Sequence, residues 1–293
     1  PKRYVLAAGT VGLPPYNFGI VENKGFEMEL GWNSTIGKVN YYLKGIYAFN
    51  RNKVIEKSEA AKPYPYMYEA GLPIKQFIGY QYDGFFSSYD EIASSPQQFG
   101  LTNLKPGDIK YKDINGDGIV DENDQAPIGY STVPEMTYSL QLGASYKGFD
   151  VSVMFQGAAR SSVYLYQDLG WDNMTGNYYE EHINRWTPET AATATYPRFL
   201  QGSKESHQNY YLSDFWLKDG KYLRLKNVMI SYTFDKKMLR KTPFSSLKIF
   251  ASGFNLITWD KLKKVDPEVA PSSNTGYFYP QQRQYNMGIN VSF

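Results

Sequence analysis

One stretch of this sequence has residue types at a spacing that could do chemistry: Asp113-Ile-Asn115-Gly-Asp117-Gly118-Ile119-Val-Asp121-Glu-Asn-Asp124. Counted from Asp113, oxygen side chains fall at positions 1, 3, 5, 9 and 12. Gly118 stands at position 6, where the loop must turn sharply, and Ile119 at position 7 offers its backbone carbonyl. Hard oxygen donors so arranged suit Ca²⁺. The expected set is Asp113, Asn115, Asp117, the Ile119 carbonyl, Asp121 and Asp124, with a structural rather than catalytic role. Position 12 is Asp rather than the longer Glu, which weakens a bidentate cap. Turn chemistry alone also favours Asx and Gly at such places.

A second stretch, Tyr178-Tyr-Glu180-Glu181-His182-Ile-Asn-Arg185-Trp186-Thr187-Pro188-Glu189, sets two carboxylates beside a histidine and invites a hydrolase reading. Glycosidic chemistry needs carboxylates opposed across a bond, roughly 5 to 10 Å apart, and neighbours in sequence rarely achieve this. The expectation is a short helix with a solvated charged face, then a second turn from Thr187. His207 has no companions and reads as a surface residue. Aromatic residues gather between the patterned segments: Tyr64, Tyr66, Tyr68, Tyr164, Tyr166, Trp171, Tyr178, Tyr179, Tyr210, Tyr211, Phe215, Trp216, Tyr277, Phe278 and Tyr279. Such rings stack on sugars or seat peptides, but for each one packing between loops, or a place in an interfacial girdle, is the simpler expectation.

The elements that must position these groups are strands. Tyr285, Met287, Ile289, Val291 and Phe293 alternate with small or polar residues up to an aromatic carboxy-terminus. The same alternation runs through Phe26 to Trp32 and Val39 to Phe49 around a Ser34–Gly37 turn. It returns through Met136 to Tyr146 and Phe149 to Phe155 around Lys147-Gly148. A strand from Tyr222 to Phe234 has Leu223 and Leu225 out of phase with Val228 and Ile230, which predicts a bulge near Lys226. Residues 247–259 read as extended with mixed alternation. Connections are short at 34–37, 147–148 and about 235–245, and long at 51–134, 160–220 and 260–283. That asymmetry belongs to outer-membrane barrels, whose long loops face outward. The count is roughly seven to nine strands of about 10 residues. An eight-stranded barrel fits the number alone; a soluble sandwich usually has shorter strands.

Composition narrows the classes. With 31 Lys plus Arg against 29 Asp plus Glu, the net charge of +2 leaves no nucleic-acid footprint. No cysteine is present, which excludes thiol catalysis, disulfides and thiolate metal sites. No run approaches the roughly 18 apolar residues of a membrane helix, so any span is by strands. The start, PKRYVLAAGT, has neither an initiator Met nor a signal core and reads as a mature or cut piece.

Three runs then resemble one family: Gly107 to Gly118 with Asp121, Asp124 and Ile128-Gly129; Tyr146 to Gly157; and Asn184-Arg-Trp-Thr-Pro-Glu189. Tyr222 to Val228, Gly253-Phe-Asn-Leu256, Asp266-Pro-Glu268 and the terminal Phe293 extend the match over nearly the whole chain. In order and spacing these are similar to the carboxy-terminal part of the SusC/RagA-like TonB-dependent outer-membrane transporters of Bacteroidetes. The resemblance implies an all-β, antiparallel transmembrane barrel segment across residues 1–293, about a third of a roughly 22-stranded barrel. No plug domain is recognisable, and residues 51–134 form a long extracellular loop region holding the 113–124 calcium-type loop. It further implies import of oligosaccharides or peptides, without catalysis, in the outer membrane of a Gram-negative bacterium. The implied partners are a SusD-like surface lipoprotein, TonB acting through other parts of the transporter, membrane lipid and the remainder of the barrel. The alternatives are a secreted calcium-binding glycan hydrolase and a non-transporting barrel adhesin.

Overall fold

The computed structural model describes residues 19–165, 170–172, 178–200, 207–262, 265–268 and 281–293. Tyr166, Tyr277, Phe278 and Tyr279 lie outside them. Seven long strands form one antiparallel sheet: β1 (Gly19–Ile36), β2 (Val39–Lys57), β3 (Met136–Tyr146), β4 (Phe149–Ala159), β5 (Tyr222–Thr233), β6 (Ser246–Asp260) and β7 (Gln284–Ser292). Each pairs with the next in sequence, an up-and-down meander with β1 and β7 as its edges. The sheet is a partial barrel wall and does not close on itself among the described residues.

Alternation becomes two faces because the register holds phase from strand to strand. Trp32, Leu43, Leu142, Val153, Val228, Gly253 and Tyr285 stand in one row across the wall. One residue along, the opposite face shows Asn33, Tyr42, Gly143, Ser152, Met229, Ser252 and Asn286. A slip of one residue in any strand would break both rows. The bulge expected at Lys226 is present: Phe155 pairs with Leu225 and Met154 with Asn227. Lys226 is passed over, so Leu225 returns to the same face as Val228 and the apparent phase conflict disappears. The mixed pattern in β6 has a similar origin, with Leu225 opposite Ile257, Asn227 opposite Phe254, and Asn255 between them at φ 52°.

Short connections lie at one end of the wall and long ones at the other. Lys147 and Gly148 take φ 47° and 87°, the pair of positive values that a type I′ hairpin requires. β1 and β2 run 18 and 19 residues, about 60 Å at 3.3 Å per residue and well beyond a hydrocarbon core of about 30 Å. Their far ends, with Glu22, Asn23, Lys24, Asn50, Arg51 and Lys53, are polar and carry the chain clear of that layer.

At the long-loop end the chain does not stay irregular. The described residues of 58–135 and 160–221 fold into a head of short two-stranded sheets. Phe77–Gly79 pairs with Ala126–Ile128, Tyr82–Phe85 with Ile109–Tyr111, Gln97–Gln98 with Ile119–Val120, and Ser162–Tyr164 with Leu217–Asp219. A buried cluster of Tyr80, Ile109, Tyr111, Val120, Trp171, Tyr196, Tyr210 and Trp216 holds them together. Each of these large rings removes on the order of 150 to 250 Å² from water. Of the loop aromatics, Trp171, Tyr210 and Trp216 are core, and Tyr164, Tyr211 and Phe215 pack against it.

Candidate functional site

Two long segments meet at Asp108, which is fully buried. Arg198 Nε lies 2.7 Å from its Oδ1 and Nη2 donates to Oδ2 at 3.1 Å. Asn209 Nδ2 donates to Oδ1 at 3.0 Å, while Asn209 Oδ1 accepts from the Ile109 backbone N–H at 2.8 Å. Trp216 Nε1 donates to the Asn209 carbonyl at 2.7 Å. A buried carboxylate is tolerable because the paired guanidinium, the Asn209 amide and the Lys105 backbone N–H, which donates to Oδ2 at 2.8 Å, satisfy it. Nothing in the sequence periodicity pointed to this group, since its partners lie about a hundred residues away.

The 113–124 loop sits on the flank of the head. Asp113 Oδ1 and Oδ2 accept from Gly116 N and Gly118 N at 2.6 and 2.8 Å. Asn115 Oδ1 accepts from Asp117 N, and Asp117 Oδ1 from Ile119 N, both at 2.9 Å. Asp124 is buried; its Oδ1 accepts from Ile114 N at 2.7 Å and its Oδ2 from Asp121 N at 2.8 Å. Asp121 caps the short turn after it by accepting from Asn123 N at 2.7 Å. The oxygen donors are of the kind calcium takes, but Asp124 Oδ1 accepts from both Ile114 N and Asn115 N, at 2.7 and 3.3 Å, which engages both of its lone pairs. The placement is another matter. Among the described residues no three His, Cys, Asp or Glu side chains converge as a ligand set. Asp117 Oδ2 is occupied by Asn115 Nδ2 at 2.9 Å, an amide that a cation would have to displace.

Beside this loop a groove of about 720 Å³ opens in the head, lined by Tyr80, Phe99, Tyr211, Asp121, Glu122 and Gln125 among others. Its aromatic wall is stiff. Phe99 meets Tyr211 edge-on at 4.9 Å between ring centres and Tyr80 at 5.0 Å. Gln125 Nε2 donates to Tyr80 Oη at 2.9 Å. Burial pushes the Tyr80 phenol up, with smaller contributions from Tyr211, Asp121 and Asp124. Tyr82, behind it, is pushed up to about 12 by burial, so both phenols stay protonated near neutrality.

The helix expected near Glu180 is a 3₁₀ turn, Glu180–Asn184, and Thr187 and Thr190 close the turn after it. Glu180 is solvated as expected, but His182 is buried. Its Nδ1 accepts from Tyr179 N at 3.1 Å and its Nε2 faces the Gly170 carbonyl at 3.3 Å. That geometry locks the His182 ring in the core through both of its nitrogens. His207, expected at the surface, is half-buried: its Nδ1 accepts from Asn209 N at 3.2 Å, capping the turn Gln208–Tyr210. Burial holds His207 below the usual histidine range, opposed by Asp108 and reinforced by Arg198.

At the rim of the wall, Arg224 is 1% exposed on the polar face of β5. Its Nη2 lies 2.7 Å from Asp266 Oδ1, its Nη1 3.0 Å from Glu268 Oε2, and its Nε donates to Thr258 Oγ1 at 2.8 Å. Lys226 Nζ joins Glu268 at 2.7 Å. The Arg224-x-Lys226 and Asp266-Pro-Glu268 runs, which share one polar side apiece, were the available signal for this pairing.

No protein-family profile matches the chain. A TonB-dependent receptor, P26, of Formosa agariphila is 27% identical over 302 residues, spanning 94% of this chain and 30% of that receptor. The TonB-dependent receptor SusC of Bacteroides thetaiotaomicron is 23% identical over 298 residues, 94% of this chain and 27% of SusC. This chain is homologous to the TonB-dependent receptors. Among solved structures, the RagAB peptide transporter superposes with a TM-score of 0.70 at 21% identity, over 94% of this chain and 30% of that one. The fold is thus that of a transporter barrel, of which the chain spans about a third. These relatives are named as receptors and transporters rather than for a reaction they catalyse.

Proposed function

We propose that the chain forms part of the wall and the outward head of a TonB-dependent importer in the outer membrane of a Gram-negative bacterium. Its cargo would be oligosaccharides or peptides. The observation that carries this reading is the register-locked apolar face of seven strands, with short turns at one end and a folded head at the other. On it, the apolar rows meet lipid, the polar rows line the lumen, and β1 and β7 pair with strands from the rest of the barrel. The head would form the outer vestibule facing a SusD-like lipoprotein, and TonB would act through segments beyond these residues. No side chain here is assigned covalent chemistry. Deleting the gene should abolish growth on the cognate cargo, with growth restored by the full-length protein. Unchanged uptake of every oligosaccharide and peptide tried would leave a non-transporting adhesin as the better reading.

Calcium at Asp113, Asn115, Asp117, the Ile119 carbonyl, Asp121 and Asp124 is a second proposal. Its support is the spacing of the donors and the positive φ of Gly118, 86°, at the sixth position. The ion would offset repulsion among four carboxylates and replace the Asn115 amide at Asp117. Calorimetry on the intact transporter should detect calcium binding that Asp117→Ala removes without disturbing barrel assembly. No calcium-dependent heat would leave the loop as a turn held by its own backbone donors.

A further inference from the structure

We infer that the groove beside the 113–124 loop is a binding subsite for a basic peptide segment, with an arginine or lysine side chain seated between its aromatic wall and its carboxylates. The inference rests on the import reading and narrows its cargo. Charge is the first argument. Asp121 and Glu122 line the groove, and no lysine or arginine does so among the described residues. The adjoining loop contributes Asp113, Asp117, Asp121, Glu122 and Asp124 between residues 113 and 124, with no basic residue in that span. A one-signed field over a concave wall concentrates the opposite charge. An occupied calcium site would offset two of those five charges and leave three, with Glu122 outside the ligand set.

The wall supplies the second argument. Phe99 and Tyr211, half-buried, and Tyr80 behind them form a fixed aromatic corner through the two edge-on contacts described above. A guanidinium or ammonium over such rings gains cation–π attraction, and a neighbouring carboxylate adds a charge-assisted hydrogen bond. A neutral sugar would stack on the same rings but gain nothing from the charge, and an anionic one would be repelled. The volume lies within the range of about 300 to 1,000 Å³ typical of ligand pockets.

The test uses the full-length transporter in detergent and fluorescence anisotropy with three labelled probes. These are a peptide of alternating arginine and glycine, its citrulline counterpart, and a neutral glucan oligosaccharide. The arginine peptide should bind at least about tenfold tighter than the citrulline form, and its affinity should fall as salt is raised. Glu122→Gln should weaken it about fivefold and Glu122→Lys more, while Phe99→Leu should weaken it without changing the salt dependence. Unchanged proteolysis of the head certifies that each variant is folded. Equal binding of the citrulline peptide, or no response to either Glu122 variant, overturns the inference. Glucan binding that Phe99→Leu abolishes would assign the groove to glycans and overturn it too. Import is read separately: neutral cargo still taken up by cells, with the basic peptide unbound, sinks this inference and leaves the import reading standing.

Discussion

The wall and the head dispose of their apolar residues in opposite directions. On the wall, Met287 is 90% exposed and Phe293 86%, whereas Trp216 and Tyr111 at the centre of the head are each 2% exposed. The wall is one sheet whose stabilising medium lies outside the chain; its five inner strands make their ladder bonds to neighbours on both sides, while β1 and β7 each keep one open edge. The head encloses its own core and behaves like a small globular unit resting on a rim. A chain of mixed composition thereby satisfies two solvents. It spends alternation on the wall and clustering on the head.

The largest expected effect separates the two. Trp216→Ala removes a buried ring from the head and should cost about 3 to 5 kcal/mol. Hydrogen exchange in residues 77–128 and 207–219 should accelerate while the seven strands stay protected. Loss of protection in β3 and β4 as well would show that head and wall unfold together. Next in size is a charge on the lipid side. Ile289→Arg should cost roughly 2 to 4 kcal/mol and impair membrane assembly, and Asn290→Arg on the opposite face should cost less. Equal tolerance at these neighbouring positions, followed by heat-modifiability on gels, would place water on both faces.

The smallest effect belongs to the head alone. Glu91 is held down to about 2, first by the Lys110 side chain, then by hydrogen bonds from the Ser87 hydroxyl and backbone N–H. Lys110 Nζ lies 2.8 Å from Glu91 Oε1. A carboxyl lowered on folding contributes stability in full above its unfolded value near 4.5, and that contribution disappears as pH falls toward 2. Because the pair is part-buried near the surface and still screened by solvent, about 1 kcal/mol or less is expected. The melting temperature of wild type should therefore drop toward that of Glu91→Gln between pH 4.5 and 2, and a constant gap would disprove the linkage.

How far the sequence reveals this molecule differs by region for a physical reason. A strand facing lipid on one side must alternate, so Met136–Tyr146, the Lys147-Gly148 turn and even the Lys226 bulge are legible from residue types. The head's strands are two to four residues long, too short for any period to register. Its decisive bonds join residues far apart, such as Ile109 with Asn209, and no local pattern announces them. The same blindness misplaced both histidines: His182 is enclosed by Tyr196 and Phe199, and His207 is half-buried near Asp108 and Arg198, though both look solvated beside polar neighbours. The 113–124 turn was legible because its oxygen spacing is local. The groove it borders was not, since Tyr80, Phe99 and Tyr211 meet there from separate segments.

The meander order also sets a timetable for biogenesis. Each wall hairpin pairs residues close in sequence, so β1 with β2 or β3 with β4 closes a loop of only a few residues, at small entropic cost. The head has no such shortcut. Asp108 waits for Arg198 and Asn209, and the ring cluster waits for Trp216, so Tyr80, Tyr111 and Val120 emerge long before their lining exists. Until residue 216 has been delivered, the segment 58–135 is a sticky, unfinished half with its apolar rings uncovered.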